Sequence, residues 1–199
     1  MNSNVKLKGY HIKSSDKPLP YIFRDIMGLE AENMTGSQPD DIVNAVFGHV
    51  MDGYEFDERD SLPQDDQHYN KDPNLSDKSF CLVYVIAADT VTYTDDKLID
   101  KLKIIRHKIS AKGIPQVIVM TKIDEACPLV KNDLRKIYTS KKIKEKMEMC
   151  RDKIGVPMCN IFPVKNYHEE IETEDDVDVL ILKALDQIVR EANDHLIDH

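Results

Sequence analysis

Apolar and polar residues follow two rhythms along this chain, and the rhythms take turns. Residues 5–12 (VKLKGYHI) and 19–25 (LPYIFRD) alternate with a period of two, which predicts two short strands joined through the turn-rich segment 14–18. Ser37 is placed to cap a helix that has Pro39 and two aspartates in its first turn. Ile42, Val43, Val46, Phe47 and Val50 would share one face of it. Residues 79–88 (SFCLVYVIAA) are nearly all apolar and rich in strand formers, the pattern of a strand buried on both faces. Thr94 then caps a helix with Asp95 and Asp96 near its positive end. Leu98, Leu102, Ile105 and Ile109 recur at helical spacing until Gly113 and Pro115 stop the run.

The same alternation continues. Residues 116–121 (QVIVMT) read as a second buried strand, and Ile143, Met147, Cys150 and Ile154 mark a charged amphipathic helix ending at Gly155. Residues 159–164 (CNIFPV) form a last short strand. Val177, Leu180, Ile181, Ala184, Leu185, Ile188, Val189 and Ala192 make a wide apolar stripe on a final helix of about five turns. Repeated strand–helix–strand units force parallel pairing with helices on the faces. The expected class is therefore α/β, a three-layer sandwich, read as a single domain over 1–199.

Candidate chemistry sits where such sheets bind ligands, at the carboxyl ends of the strands. Thr121-Lys122-Ile123-Asp124 follows the apolar strand VIVM. A guanine base offers two neighbouring N–H donors on one edge, and a carboxylate such as Asp124 can accept both. Lys122 can lay its stem along the base plane, and Thr121 can tie the neighbouring loops. This is the Asn/Thr-Lys-x-Asp arrangement of GTPases. Asp25-Ile26-Met27-Gly28 follows YIFR and matches D-x-x-G, whose aspartate holds Mg²⁺ through water and whose glycine amide meets the terminal phosphate. Pro163-Val164-Lys165-Asn166 follows the last short strand, where a loop normally buttresses the base. The three occur in GTPase order, which is more specific than any one of them.

One element is missing from that series. A phosphate-binding loop needs G-x-x-x-x-G-K-S/T so that backbone amides and a lysine wrap the phosphates. Gly48 and Gly53 have the right separation, but Tyr54 and Glu55 follow them, and both lie after D-x-x-G. Only about 20 residues precede Asp25, too few for a first strand, loop and helix.

The stretches LPYIFRDIMGLE, DDIVNAVFGHV, FCLVYVIAAD, QVIVMTKID, NIFPVKNY and DVDVLILKALDQIVREAND, with the acidic insert around YEFD, resemble the GTPase-like domain of the interferon-induced protein 44 family. The resemblance runs in order from about Tyr10 to Leu196. It implies a Ras-like G-domain remnant lacking the first strand, the P-loop and the first helix, and a link to antiviral innate immunity. It also implies that Thr121, Lys122 and Asp124 read a base, that Asp25 and Gly28 form a Mg²⁺ and phosphate pair, and that Lys165 belongs to the base loop. In that fold the first strand lies between the strand ending at Asp25 and the strand ending at Ala88. Its absence predicts that these two strands rejoin directly, or that a homodimer or domain swap fills the gap.

Charge narrows the partners. The 199 residues carry 27 basic and 36 acidic side chains, a formal charge of −9, which argues against nucleic-acid or anionic-membrane binding. Residues 52–78 hold nine acidic and three basic residues, and with Pro63 and Pro73 they read as a long irregular insert, a solvated connector or a partner-binding segment. The run from Lys131 to Lys153 is basic, but Glu145, Glu148 and Asp152 break it and only Tyr138 could stack on a base, so a solvated helix face is the expectation. No apolar run approaches the roughly 18–20 residues of a membrane span, and residues 1–13 do not form a signal-peptide pattern. Four scattered cysteines without a C-x-x-C pair fit reduced thiols in a cytoplasmic protein. Seven scattered histidines give no metal-binding pattern.

Energetics favour a protein without turnover. Charge-assisted hydrogen bonds contribute about 1.5–3 kcal/mol each, and association costs at least about 4 kcal/mol. Base contacts alone leave little affinity, and phosphoryl transfer depends on neutralising the phosphates. The expectation is a non-hydrolysing pseudo-GTPase acting as an interaction module, with no catalytic residue, no metal and no resident cofactor. GTP and Mg²⁺ enter only if the base site is still competent. The alternative is a GTP-binding protein whose phosphate loop comes from outside this chain. A nucleic-acid sensor using the 131–153 face ranks below both.

Overall fold

The computed structural model describes residues 6–14, 16–26, 38–57 and 60–197. They fall into two compact units, Met1–Ser79 and Phe80–His199.

In the first unit β1 (Lys8–Ser14) and β2 (Lys17–Asp25) pair antiparallel, from Lys8 opposite Asp25 to Ser14 opposite Lys17, with an irregularity between His11 and Lys13. The predicted hairpin is present, but its turn is tighter than expected: Asp16 takes a left-handed φ of 66° so that Ser14 and Lys17 can face each other. Helix α1 (Pro39–Val46) has Pro39 in its first turn with Asp40 and Asp41. Gln38 occupies its cap position, and Ser37, the expected cap, lies outside the described residues. Ile42, Val43, Ala45 and Val46 are buried.

The acidic insert is irregular, but it is not merely a solvated connector. Phe56 and Leu62 are buried with Leu7, Ala45 and Val50, and Ile26, Tyr54 and Tyr69 pack against that cluster. Its backbone is also tied down. Val50 bridges Tyr69, Leu62 N–H donates to Asp41 Oδ1 at 2.8 Å, and Asn74 and Asp77 cap a short turn reciprocally. Gly48 sits where α1 ends, at φ 85°, and a Cβ there would lie 2.9 Å from the backbone of Asp77. Only glycine fits that approach.

The second unit carries a three-stranded parallel sheet in the order β3 (Leu82–Ala87), β4 (Gln116–Thr121), β5 (Ile161–Pro163). This is the mixed α/β class that the alternation predicted. Helix α2 (Asp96–Ser110) crosses from β3 to β4, and Gln116 fixes it by donating to Arg106 O at 3.2 Å and Ser110 Oγ at 2.8 Å. Its cap is Asp95, accepting from Lys97 N–H at 2.8 Å, whereas the Thr94 hydroxyl turns back to Val91 O. Two short helices, α3 (Ile123–Ala126) and α4 (Pro128–Asn132), lead to α5 (Lys141–Ile154), capped by Ser140 and ended by Gly155 at φ 92°. Helix α6 (Asp175–Ile197) closes the chain.

Among the described residues β2 pairs with β1 in the first unit, and β3 pairs with β4 in the second. Pro18 and Pro20 in β2 carry no N–H, so that strand cannot support a full ladder on both sides. One expectation is corrected: strand β3 is not buried on both faces. Central β4 is, with Val117, Ile118 and Met120 fully buried, whereas among the described residues β3 is an edge strand, and Val85 is 70% exposed.

Candidate functional site

The end of β4 positions the first group of candidate residues. Thr121 is buried, and its carbonyl accepts from Ala88 N–H at 2.9 Å, which ties the ends of β3 and β4 together. The chain then turns into α3 within one residue. Lys122 makes that turn in the left-handed region at φ 54°, a conformation uncommon for a residue with a Cβ. The strained turn projects the exposed Lys122 side chain, buries Ile123 completely and leaves Asp124 half-buried in the first turn of α3.

Lys165 reaches the same end of the sheet from β5. Val164 N–H donates to Met120 O at 2.8 Å and holds the start of the following loop against β4. The Lys165 ammonium is ion-paired to Glu170, both side chains being only 17% exposed. That pairing, ahead of the charges of Glu174 and Asp124, raises the lysine pKa. Glu170 is held down to about 2, first by the His168 N–H, which donates to it at 2.7 Å, and then by Lys165. Tyr167 fastens the rest of the loop: its hydroxyl accepts from Glu174 N–H at 2.8 Å and donates to Asp178 Oδ1 at 2.7 Å.

Thr121, Lys122, Asp124 and Lys165 therefore gather at the carboxyl ends of β4 and β5. Chemically the group offers one carboxylate acceptor, one exposed lysine stem and one lysine whose charge is already balanced by Glu170. This suits a neutral hydrogen-bonding edge better than a polyanion. Asp25 ends β2 in the other unit with an exposed side chain, and Gly28 lies outside the described residues. Glu170 was not singled out from the sequence, because an ion pair inside an irregular loop leaves no periodic signal.

The basic run is largely neutralised. Lys131 pairs with Glu125 at 3.3 Å, Arg135 with Asp133 at 3.0 Å, Lys136 with Asp133 at 3.8 Å and Lys144 with Glu148 at 3.8 Å. Lys146 donates to Thr92 Oγ1 at 2.6 Å. Among the described residues no group of three His, Cys, Asp or Glu side chains is placed to hold a metal ion, and all four cysteines are free. No described helix is long and apolar enough to cross a membrane.

Comparison with known proteins gives relatives along nearly the whole chain. Over 195 residues, 97% of this chain, it is 33% identical to interferon-induced protein 44 of Mus musculus and 32% identical to that of Homo sapiens. It is 28% identical over 191 residues to interferon-induced protein 44-like of Homo sapiens. The matches cover 46%, 44% and 42% of those proteins, so the chain spans about half the length of the curated relatives it matches. No protein-family model and no solved structure matches it. Over the region it shares with these relatives, the chain is similar to members of the interferon-induced protein 44 family.

Proposed function

We propose that this chain is a pseudo-GTPase: a GTPase-like fold that binds protein partners in interferon-linked antiviral defence and does not hydrolyse nucleotide. One observation carries the reading. Thr121, Lys122, Asp124 and Lys165 gather at the carboxyl ends of β4 and β5, while the chain contains no G-x-x-x-x-G-K-S/T segment to neutralise phosphates. A base-reading corner without a phosphate cradle can orient a ligand or a partner, but it supplies nothing where charge develops in phosphoryl transfer. The relatives' names support the immune setting.

The chain acts in the cytoplasm in this reading, with protein partners that include a second copy of itself and with no resident cofactor. The experiment is phosphate release from GTP with Mg²⁺ by the purified chain. Release at the buffer rate is expected, and turnover above it that falls in Asp124→Ala contradicts the proposal.

A second reading follows from the chain spanning about half of its relatives' length. In it the phosphate loop is supplied from outside these 199 residues. Supplying such a segment would then create Mg²⁺-dependent GTP binding that requires Asp124, whereas the pseudo-GTPase reading expects none.

A further inference from the structure

The formal charge of −9 averages over two opposed regions. Residues 97–153 hold sixteen basic and seven acidic side chains, whereas the rest of the chain holds eleven and twenty-nine. Helices α2 and α5 carry most of that basic region. Along the order β3-β4-β5 both connections cross over in the same direction. Right-handed crossovers therefore place α2 and α5 on one face of the parallel sheet, where they pack together.

Ion pairing stops along the line where the two helices meet. On α5 the buried residues are Ile143, Met147, Cys150 and Ile154. Lys144 and Arg151 lie on one flank of that stripe and are paired, with Glu148 at 3.8 Å and Asp152 at 2.8 Å. Lys142, Lys146 and Lys153 share the opposite flank, which is turned toward α2. Lys146 Nζ donates to Thr92 Oγ1 at 2.6 Å, and that hydroxyl meets Met149 Sδ at 3.8 Å, shortly before α2 begins. From α2, Arg106 reaches the same furrow, since a Cβ on Gly155 would lie 3.3 Å from its Nε. Lys103 stands one turn before Arg106. Among the described residues none of Lys103, Arg106, Lys142, Lys146 and Lys153 has a carboxylate partner. Arg106, Lys146 and Lys153 are half-buried, so their stems line the furrow while their charged ends stay near water.

We propose that the furrow between α2 and α5 holds an acidic segment of a protein partner, whose Asp and Glu side chains lie against these five cations. The proposal rests on the protein-binding reading above and supplies the partner's chemistry. At physiological salt, charges are screened beyond about 8 Å. An approaching carboxylate therefore meets the local excess of cations and not the total of −9. The furrow suits a peptide better than a polyphosphate. Asp100 of α2 and Glu145 of α5 are exposed on the outer crests of the two helices. Nucleic acid, with a phosphate at every nucleotide, would set like charge against those crests, and a flat anionic membrane would meet them first. A peptide can place carboxylates in the furrow and neutral residues on the crests, with half-buried Met149 as an apolar contact.

The test is fluorescence anisotropy of a labelled peptide of alternating glutamate and serine, titrated with the full chain at physiological salt. Binding is expected, and the same peptide with glutamine for glutamate should not bind. Lys103→Glu with Lys153→Glu should weaken binding at least about tenfold. Lys131→Glu with Lys144→Glu changes the net charge equally on already paired lysines, and should leave it within about twofold. Should the first pair fail to fold, Lys103→Gln with Lys153→Gln should weaken binding in the same direction. An acidic peptide that does not bind overturns the proposal. So does equal weakening by both reversed pairs, or tighter binding of poly(U) or phosphatidylserine vesicles than of the peptide. Phosphate release from GTP on the same sample keeps the two readings apart. Turnover would end the pseudo-GTPase reading whatever the peptide does, and an unbound peptide without turnover would end this proposal alone.

Discussion

The two units bury different chemistry. In Phe80–His199 the most buried positions are aliphatic: Val117, Ile118, Met120 and Ile123 are all fully shielded around β4. In Met1–Ser79 one of the most buried side chains is a carboxylate. Asp41 is 0% exposed, its Oδ1 accepts from Leu62 N–H, and its Oδ2 has no hydrogen-bond partner among the described residues. An apolar core gains stability in proportion to the area it removes from water and is indifferent to pH. A core organised around a carboxyl gains specificity for one loop position and carries a desolvation cost that depends on protonation. The first kind of core builds the platform of the candidate site. The second holds an acidic insert in place.

That contrast can be broken most forcefully at Ile118. Ile118→Ala leaves a cavity at the centre of the parallel sheet and should cost about 2–5 kcal/mol in denaturant unfolding at any pH. A cost below 1 kcal/mol would mean that β4 is not the packing centre. Next comes Gly48→Ala, which forces a Cβ into a left-handed backbone and against Asp77. A loss of about 1–3 kcal/mol is expected, with faster amide exchange in the insert and unchanged exchange in β4.

Asp41→Asn sharpens the comparison through pH. Burial pushes the Asp41 carboxyl above its ordinary range, more than the Leu62 N–H lowers it, with Asp40 and Asp57 raising it further. A raised folded-state pKa contributes stability that is present in full below the unfolded value and lost as pH rises through the folded one. Asp41 should therefore contribute stability as pH falls from neutral toward about 4, and the difference between wild type and Asp41→Asn, which keeps an oxygen for Leu62 N–H, should grow over that range. A pH profile identical in both proteins would rule out this role. The smallest effect is expected at Glu170, whose folded pKa is depressed to about 2. Its contribution exists above the unfolded carboxylate range and disappears as pH falls through the folded value. Glu170→Gln should thus lower the melting temperature at neutral pH and converge with the wild type near pH 2.

The platform was legible in the sequence because its elements repeat. Strand β4 and helix α5 follow from apolar spacing alone, and Thr121, Lys122 and Asp124 follow from their place after a buried strand. Strand β3 misled for a physical reason: LVYVIA reads as buried on both faces, but burial depends on neighbours that a local pattern does not specify. The packing of the insert is not legible, because Phe56 and Leu62 stand isolated among charges, and two apolar anchors without a period give no signal. Glu170 escaped for the same reason. The Asp25–Gly28 pair remains a sequence expectation, since Gly28 lies outside the described residues.

In the proposed function the corner at the end of β4 does not hold a nucleotide. Thermal unfolding of the chain with and without millimolar GTP and Mg²⁺, beside Asp124→Ala, tests it directly, because a ligand that binds the folded state must raise its stability by mass action. One cooperative transition that nucleotide does not move in either protein is expected. An upward shift in the wild type that Asp124→Ala abolishes would contradict the proposed function.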